Sequence, residues 1–78
     1  MSISSLQQAK SIVSEILEIN STQIDDDATI ETLDKWDSLN HMRILMQLEE
    51  QFETSIDTEI AMEMFSISAI SNWIETHR

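Results

Sequence analysis

Residues 35–52 read Lys35-Trp36-Asp37-Ser38-Leu39-Asn40-His41-Met42-Arg43-Ile44-Leu45-Met46-Gln47-Leu48-Glu49-Glu50-Gln51-Phe52, and this stretch decides the fold. An acidic, irregular segment gives way within it to a helical pattern. Asp37 or Ser38 supplies the side-chain oxygen of an N-cap, and Leu39, Met42, Leu45, Met46, Leu48 and Phe52 are expected on the buried side of the helix that follows. Asn40, Arg43, Gln47, Glu50 and Glu53 are left for its other face. Ser38 then has two readings: a polar residue that starts a helix, or a reactive position in a chain with little other chemistry.

Upstream, Ile3, Leu6, Ala9, Ile12, Val13, Ile16 and Leu17 keep to one side of a 3.6-residue repeat and predict a first helix. Ser4 or Ser5 is its expected cap, and Asn20, which tolerates a left-handed backbone, its expected stop in a chain without glycine. Residues 20–37 are too polar and too irregular for a helix. A loop of that length needs anchors, and Ile24, Ile30, Leu33 and Trp36 are the apolar candidates. Downstream, Asp57 to Met64 predicts a short third helix with Ile60 and Met64 facing inward. Ser66 caps a last helix carried by Ile67, Ile70, Trp73 and Ile74, and His77 and Arg78 suit the negative end of its dipole. Strand-like alternation, proline, internal repeats and linkers are all missing. The expected architecture is all-α, a small bundle of three main helices plus one short helix, as a single domain over residues 1–78.

At 78 residues such a domain buries about 60 to 65% of its unfolded surface, and its expected stability is roughly 4 to 12 kcal/mol. The absence of cysteine removes disulfides, thiolate metal sites and cysteine nucleophiles, and it fits a reducing compartment. No run of about 18 apolar residues predicts a membrane span, and MSISSLQQAK lacks the basic and apolar parts of a signal peptide, so a cytoplasmic location is expected. Fifteen carboxylates against four Lys and Arg give a net charge of -11. That charge disfavours nucleic acid and anionic membrane surfaces as partners and favours basic ones, or it serves only solubility. With 41% hydrophobic residues in periodic order, the chain has enough apolar surface to form a core.

Taken together, Ile24-Asp25-Asp26-Asp27-Ala28-Thr29-Ile30, Trp36-Asp37-Ser38-Leu39, Leu48-Glu49-Glu50-Gln51-Phe52, Glu59 and Ser66-Ile67 through Trp73-Ile74 resemble the acyl and peptidyl carrier proteins over nearly the whole chain. Asp-Ser-Leu alone is a weak signal; length, acidity, helix order and the motif's position make it specific. The resemblance implies that Ser38 receives a 4'-phosphopantetheine arm from coenzyme A through a phosphopantetheinyl transferase. It implies further that an acyl or aminoacyl group rides on the arm's thiol as a thioester, and that the protein is a carrier and not an enzyme. A phosphate ester suits the first turn of a helix, where free N–H groups and the dipole favour an anion.

Rival readings are weaker. His41 lies within helical reach of Ser38, but no oxyanion hole or glycine elbow accompanies the pair, and a solvated helix histidine is expected. Asp25-Asp26-Asp27 lacks the alternating ligands, turn glycine and terminal glutamate of a calcium loop, so no metal site is expected. Met42, Met46, Met62 and Met64 form a flexible part of the core that either opens to shelter an acyl chain, as the family does, or simply fills space.

The docking surface implied by the resemblance comprises Trp36, Asp37, Leu39, Asn40, Met42 and Arg43, facing loading and transferring enzymes with basic patches. Housekeeping fatty-acid carriers have acids two and five positions after the serine, where this chain has Asn40 and Arg43. They also have a glycine just before the Asp-Ser pair, where this chain has Lys35-Trp36. These departures point to a dedicated carrier in a specialised pathway, acting as a monomer. An acidic helical adaptor without a prosthetic group is the alternative.

Overall fold

The chain folds, in a computed structural model that describes residues 4–77, into four α-helices. They are α1 (Ser5–Leu17), α2 (Ser38–Phe52), α3 (Thr58–Ala61) and α4 (Ile67–His77), with a 3₁₀ turn at Ser21–Gln23. The all-helical bundle expected from the sequence is the observed one. Ile3 and Arg78 lie outside the described residues.

Ser4 caps α1, its hydroxyl oxygen accepting from the Gln7 amide at 3.1 Å. The helix stops earlier than Asn20. Glu18 takes the left-handed conformation (φ 57°, ψ 45°), and its amide closes back on the Ser14 and Glu15 carbonyls. Asn20 instead sits in extended backbone ahead of the 3₁₀ turn, because a helix needs one left-handed residue to end and Glu18 has already supplied it. Glu53 ends α2 in the same way at φ 51°.

The core is continuous: Ala9, Ile12, Val13 and Leu17 of α1 pack on Ile67, Ile70, Trp73 and Ile74 of α4, with Ile44 and Leu48 of α2 closing the third side. The α1–α4 pair is the most extensive helix contact, and the Ser5 and Ser71 hydroxyls meet within it at 3.1 Å. The long loop is anchored as expected by Ile24 and Trp36, with Ile30 and Leu33 half-buried, and Ala28 is a further buried anchor. Its middle is stitched to the segment before α4: the Ile67 amide donates to the Ala28 carbonyl and the Ile30 amide to the Phe65 carbonyl, both at 2.9 Å. The result is an isolated antiparallel bridge between Thr29 and Ser66, with no strand among the described residues.

The buried face of α2 is the expected one only in part: Leu48 is buried and Leu45 and Phe52 pack against the core as expected. Leu39, Met42 and Met46 are 61%, 60% and 61% exposed, while the buried residues are His41, Ile44 and Leu48, flanked by half-buried Leu45 and Phe52. At about 100° per residue, Leu39, Met42 and Met46 fall within roughly 60° of one another and Leu48 lies about 180° from Leu39, so the apolar set spans two faces of the helix. α3 is one turn long, shorter than expected. Its Ile60 is 41% exposed, and Met64, which follows the helix, is buried.

Candidate functional site

Ser38 is the first residue of α2 and is exposed, and its side chain takes part in none of the hydrogen bonds among the described residues. Between the two caps that the sequence allows, the structure selects Asp37, whose carboxylate accepts from the Asn40 amide at 2.9 Å. The Ser38 hydroxyl is therefore left for other chemistry. Helix N-termini present amide hydrogens without intrahelical acceptors, and a phosphate ester at this hydroxyl would lie beside them at the positive end of a four-turn dipole. The residues present fit a phosphate-linked group.

The segment before Ser38 is held by side chains that follow it. Asn40 Nδ2 donates to the Lys35 carbonyl at 2.8 Å, and the Trp36 indole Nε1–H donates to His41 Nδ1 at 3.0 Å. An indole nitrogen only donates and a carbonyl only accepts, so the ring carries its hydrogen on Nε2, which donates to the Ala61 carbonyl of α3 at 3.2 Å. His41 also stacks on Phe65, with centroids 4.3 Å apart. The solvated helix histidine expected from the sequence is thus a buried one, and both ring nitrogens are engaged away from Ser38. Nothing in this arrangement makes His41 a base for the serine.

Among the expected docking residues, Asp37, Leu39, Met42 and Arg43 are exposed around Ser38. Trp36 is not: at 2% exposure it belongs wholly to the core, because its indole is wedged against His41 beneath the start of α2. Asn40 is half-buried and its amide is used on Lys35. The two departures from the fatty-acid carrier pattern are consequently joined: the residue that replaces an acid ties down the segment that replaces a glycine. An acid at position 40 lacks the donor for this bond.

The methionines expected in the core are largely outside it. Met42, Met46 and Met62 rim an apolar groove of about 330 Å³ between α2 and α3, with His41, Leu45, Ile56, Ala61 and Phe65 among its walls. Met62 is 66% exposed, and Met64 alone of the four is buried. Neither the groove nor the Trp36–His41–Ala61 connection was foreseen. The signal for both is the spacing of His41, Ile44 and Leu48, which places a histidine on the core face and turns the methionines out.

The acidic loop holds no cluster suited to a cation. Asp25, Asp26 and Asp27 are exposed, Asp26 pairs with Lys10 of α1, and no group of three or more His, Cys, Asp or Glu among the described residues is disposed around a metal position. No described helix is long and apolar enough to cross a membrane.

Comparison with known families gives a match to the family model described as "Phosphopantetheine attachment site", over residues 7–74. The match takes in most of α1, the long loop, all of α2 and α3, and most of α4. The chain therefore belongs to the phosphopantetheine-attachment family, the acyl and peptidyl carrier proteins, whose members hold 4'-phosphopantetheine covalently.

Proposed function

We propose that Ser38 is the attachment residue and that the protein carries acyl or aminoacyl intermediates for a dedicated biosynthetic pathway, as one cytoplasmic, monomeric carrier domain. The observation that carries this reading is the exposed Ser38 hydroxyl at the start of α2, left free because Asp37 does the capping. When bound, the arm supplies the terminal thiol on which cargo is held as a thioester. The protein's own residues do the rest: Asp37 starts the helix, Asn40 and His41 fix the segment before Ser38, and exposed Leu39, Met42 and Arg43 meet partner enzymes. Carrier proteins of this family interact with phosphopantetheinyl transferases and acyl-handling enzymes. The mechanism is delivery, in which tethering raises the effective concentration of cargo at each docked partner.

Incubation with coenzyme A and a broad-specificity transferase, followed by intact-mass measurement, is expected to add one arm to the wild-type protein and none to Ser38→Ala. An unmodified wild type would leave the acidic adaptor as the better reading. Arg43 supports the dedicated role, since a cation in the docking face opposes a basic partner patch by about 1 kcal/mol or less, enough to shift partner choice. Arg43→Glu is therefore expected to speed acylation by general fatty-acid synthesis enzymes several-fold. Equal rates for wild type and variant, both matching a housekeeping carrier, would sink the specialised assignment.

A further inference from the structure

Two side chains of α2 hold the segment before Ser38, and only one of them can take up a proton. Asn40 grips the Lys35 carbonyl through a neutral amide, whereas Trp36 is held by the Nδ1 lone pair of His41 at 3.0 Å. Trp36 lies two positions before Ser38, inside the tight turn in which the Asp37 amide donates to the Lys35 carbonyl at 3.1 Å. The indole is 2% exposed and the imidazole 5%, so neither has bulk water to turn to. Through the Ala61 carbonyl, at 3.2 Å from Nε2, the same ring ties the approach to Ser38 to α3.

A proton added to this ring goes to Nδ1, because Nε2 already carries one, and an imidazolium donates from both nitrogens. At Nδ1 two donors then face each other, and the indole N–H is left buried without an acceptor. At Nε2 the bond to Ala61 becomes charge-assisted and tightens. The proton thus frees Trp36 and keeps α3. The charged groups on the surrounding elements do not change this outcome. Lys35, Asp37 and Arg43 are exposed beside the ring's own turn of α2, as are Asp57, Glu59 and Glu63 around α3, and Glu49 accepts from the Ile56 amide at 2.8 Å. Among the described residues, none of them bonds to the imidazole.

We propose that His41 is a positioning residue for Ser38 and a proton-operated latch: its neutral ring fixes the segment that presents the serine, and its protonation releases that segment. This rests on the carrier reading and deepens it by naming a regulation of the attachment site. A serine presented by a loosened segment receives the arm more slowly.

The test takes two readouts from the full-length protein between pH 7.5 and pH 5.0, the range in which imidazoles change charge. In nitrogen-15 nuclear magnetic resonance, His41 Nδ1 is expected to gain its proton in the same step in which the Trp36 indole N–H shifts and exchanges faster with water. In His41→Asn, whose side-chain oxygen is a neutral acceptor for the indole, that signal is expected to hold steady although His77 still titrates. For the second readout, equal amounts of wild type and His41→Asn compete for the arm from coenzyme A and a broad-specificity transferase. Intact mass reads both products, so the enzyme's own pH profile cancels. The ratio of modified wild type to modified variant is expected to fall several-fold over the range.

A ring that stays neutral to pH 5.0, or one that titrates without moving the Trp36 signal, would overturn the latch. A flat ratio beside a moving indole would overturn the positioning role. Should His41→Asn not fold, the wild-type spectra decide the latch, and Trp36→Phe, which removes the indole donor and keeps a ring, replaces it in the competition with the same expected fall. A wild type that accepts no arm even at pH 7.5 would refute the carrier reading, and the latch would then stand or fall on the spectra alone.

Discussion

Asn40 shows how one side chain alters the surroundings of Ser38. Its amide donates to the Lys35 carbonyl while its backbone amide is capped by Asp37, so it holds both the segment before α2 and the first turn of the helix. Asn40→Asp removes the side-chain donor, a loss of about 0.5 to 1.5 kcal/mol. An acid near a helix start returns roughly 0.3 to 1 kcal/mol through the dipole. At the middle of those ranges the net expectation is a protein destabilised by a few tenths of a kcal/mol, measured by urea denaturation; a variant clearly more stable than wild type would deny Asn40 this structural role. Neither the bond to Lys35 nor the one between Trp36 and His41 is legible in the sequence, because each joins residues five positions apart across a helix start, where no periodic pattern announces a contact.

Among the elements, the helices themselves were legible and the orientation of α2 was not. Apolar periodicity and the oxygen-bearing residues Ser4, Asp37 and Ser66 located the starts of α1, α2 and α4. α2 carries apolar residues on two faces, so periodicity did not reveal which of them is buried, and a core histidine looked like a surface residue. The same α2 gives a direct check. Met46→Ser is expected to change stability by no more than about 0.5 kcal/mol, as at other exposed positions, whereas Ile44→Ala is expected to cost about 2 to 5 kcal/mol. Thermal or chemical melts returning the opposite order would restore the face read from the sequence. α3 was only partly legible: with four residues it has too little length for a period, and its link to α2 through the His41–Ala61 bond leaves no mark in the sequence.

For the molecule as a whole, charge is the dominant surface property. A net charge of -11 is confined to a radius of gyration of 11.3 Å, close to the roughly 11.5 Å of an ordinary folded chain this long, so repulsion has not expanded the fold. Exposed Asp25, Asp26, Asp27, Glu31, Asp34 and Asp37 crowd the long loop, and the Lys10–Asp26 pair offsets only part of this. Added salt shortens the screening length from about 30 Å at 0.01 M to about 10 Å at 0.1 M, and the melting temperature is expected to rise over that range. A flat or falling melting temperature would mean that repulsion in the loop is not a stability term. The bundle and its acidic loop were legible at this scale, but the packing of α1 against α4 was not, since contacts between distant segments leave no local trace. That packing governs how the protein is made. Residues as far apart as Ser5 and Ser71 must meet to complete the core, so α1 stays without its main partner until α4 has been made, and the bundle closes only then.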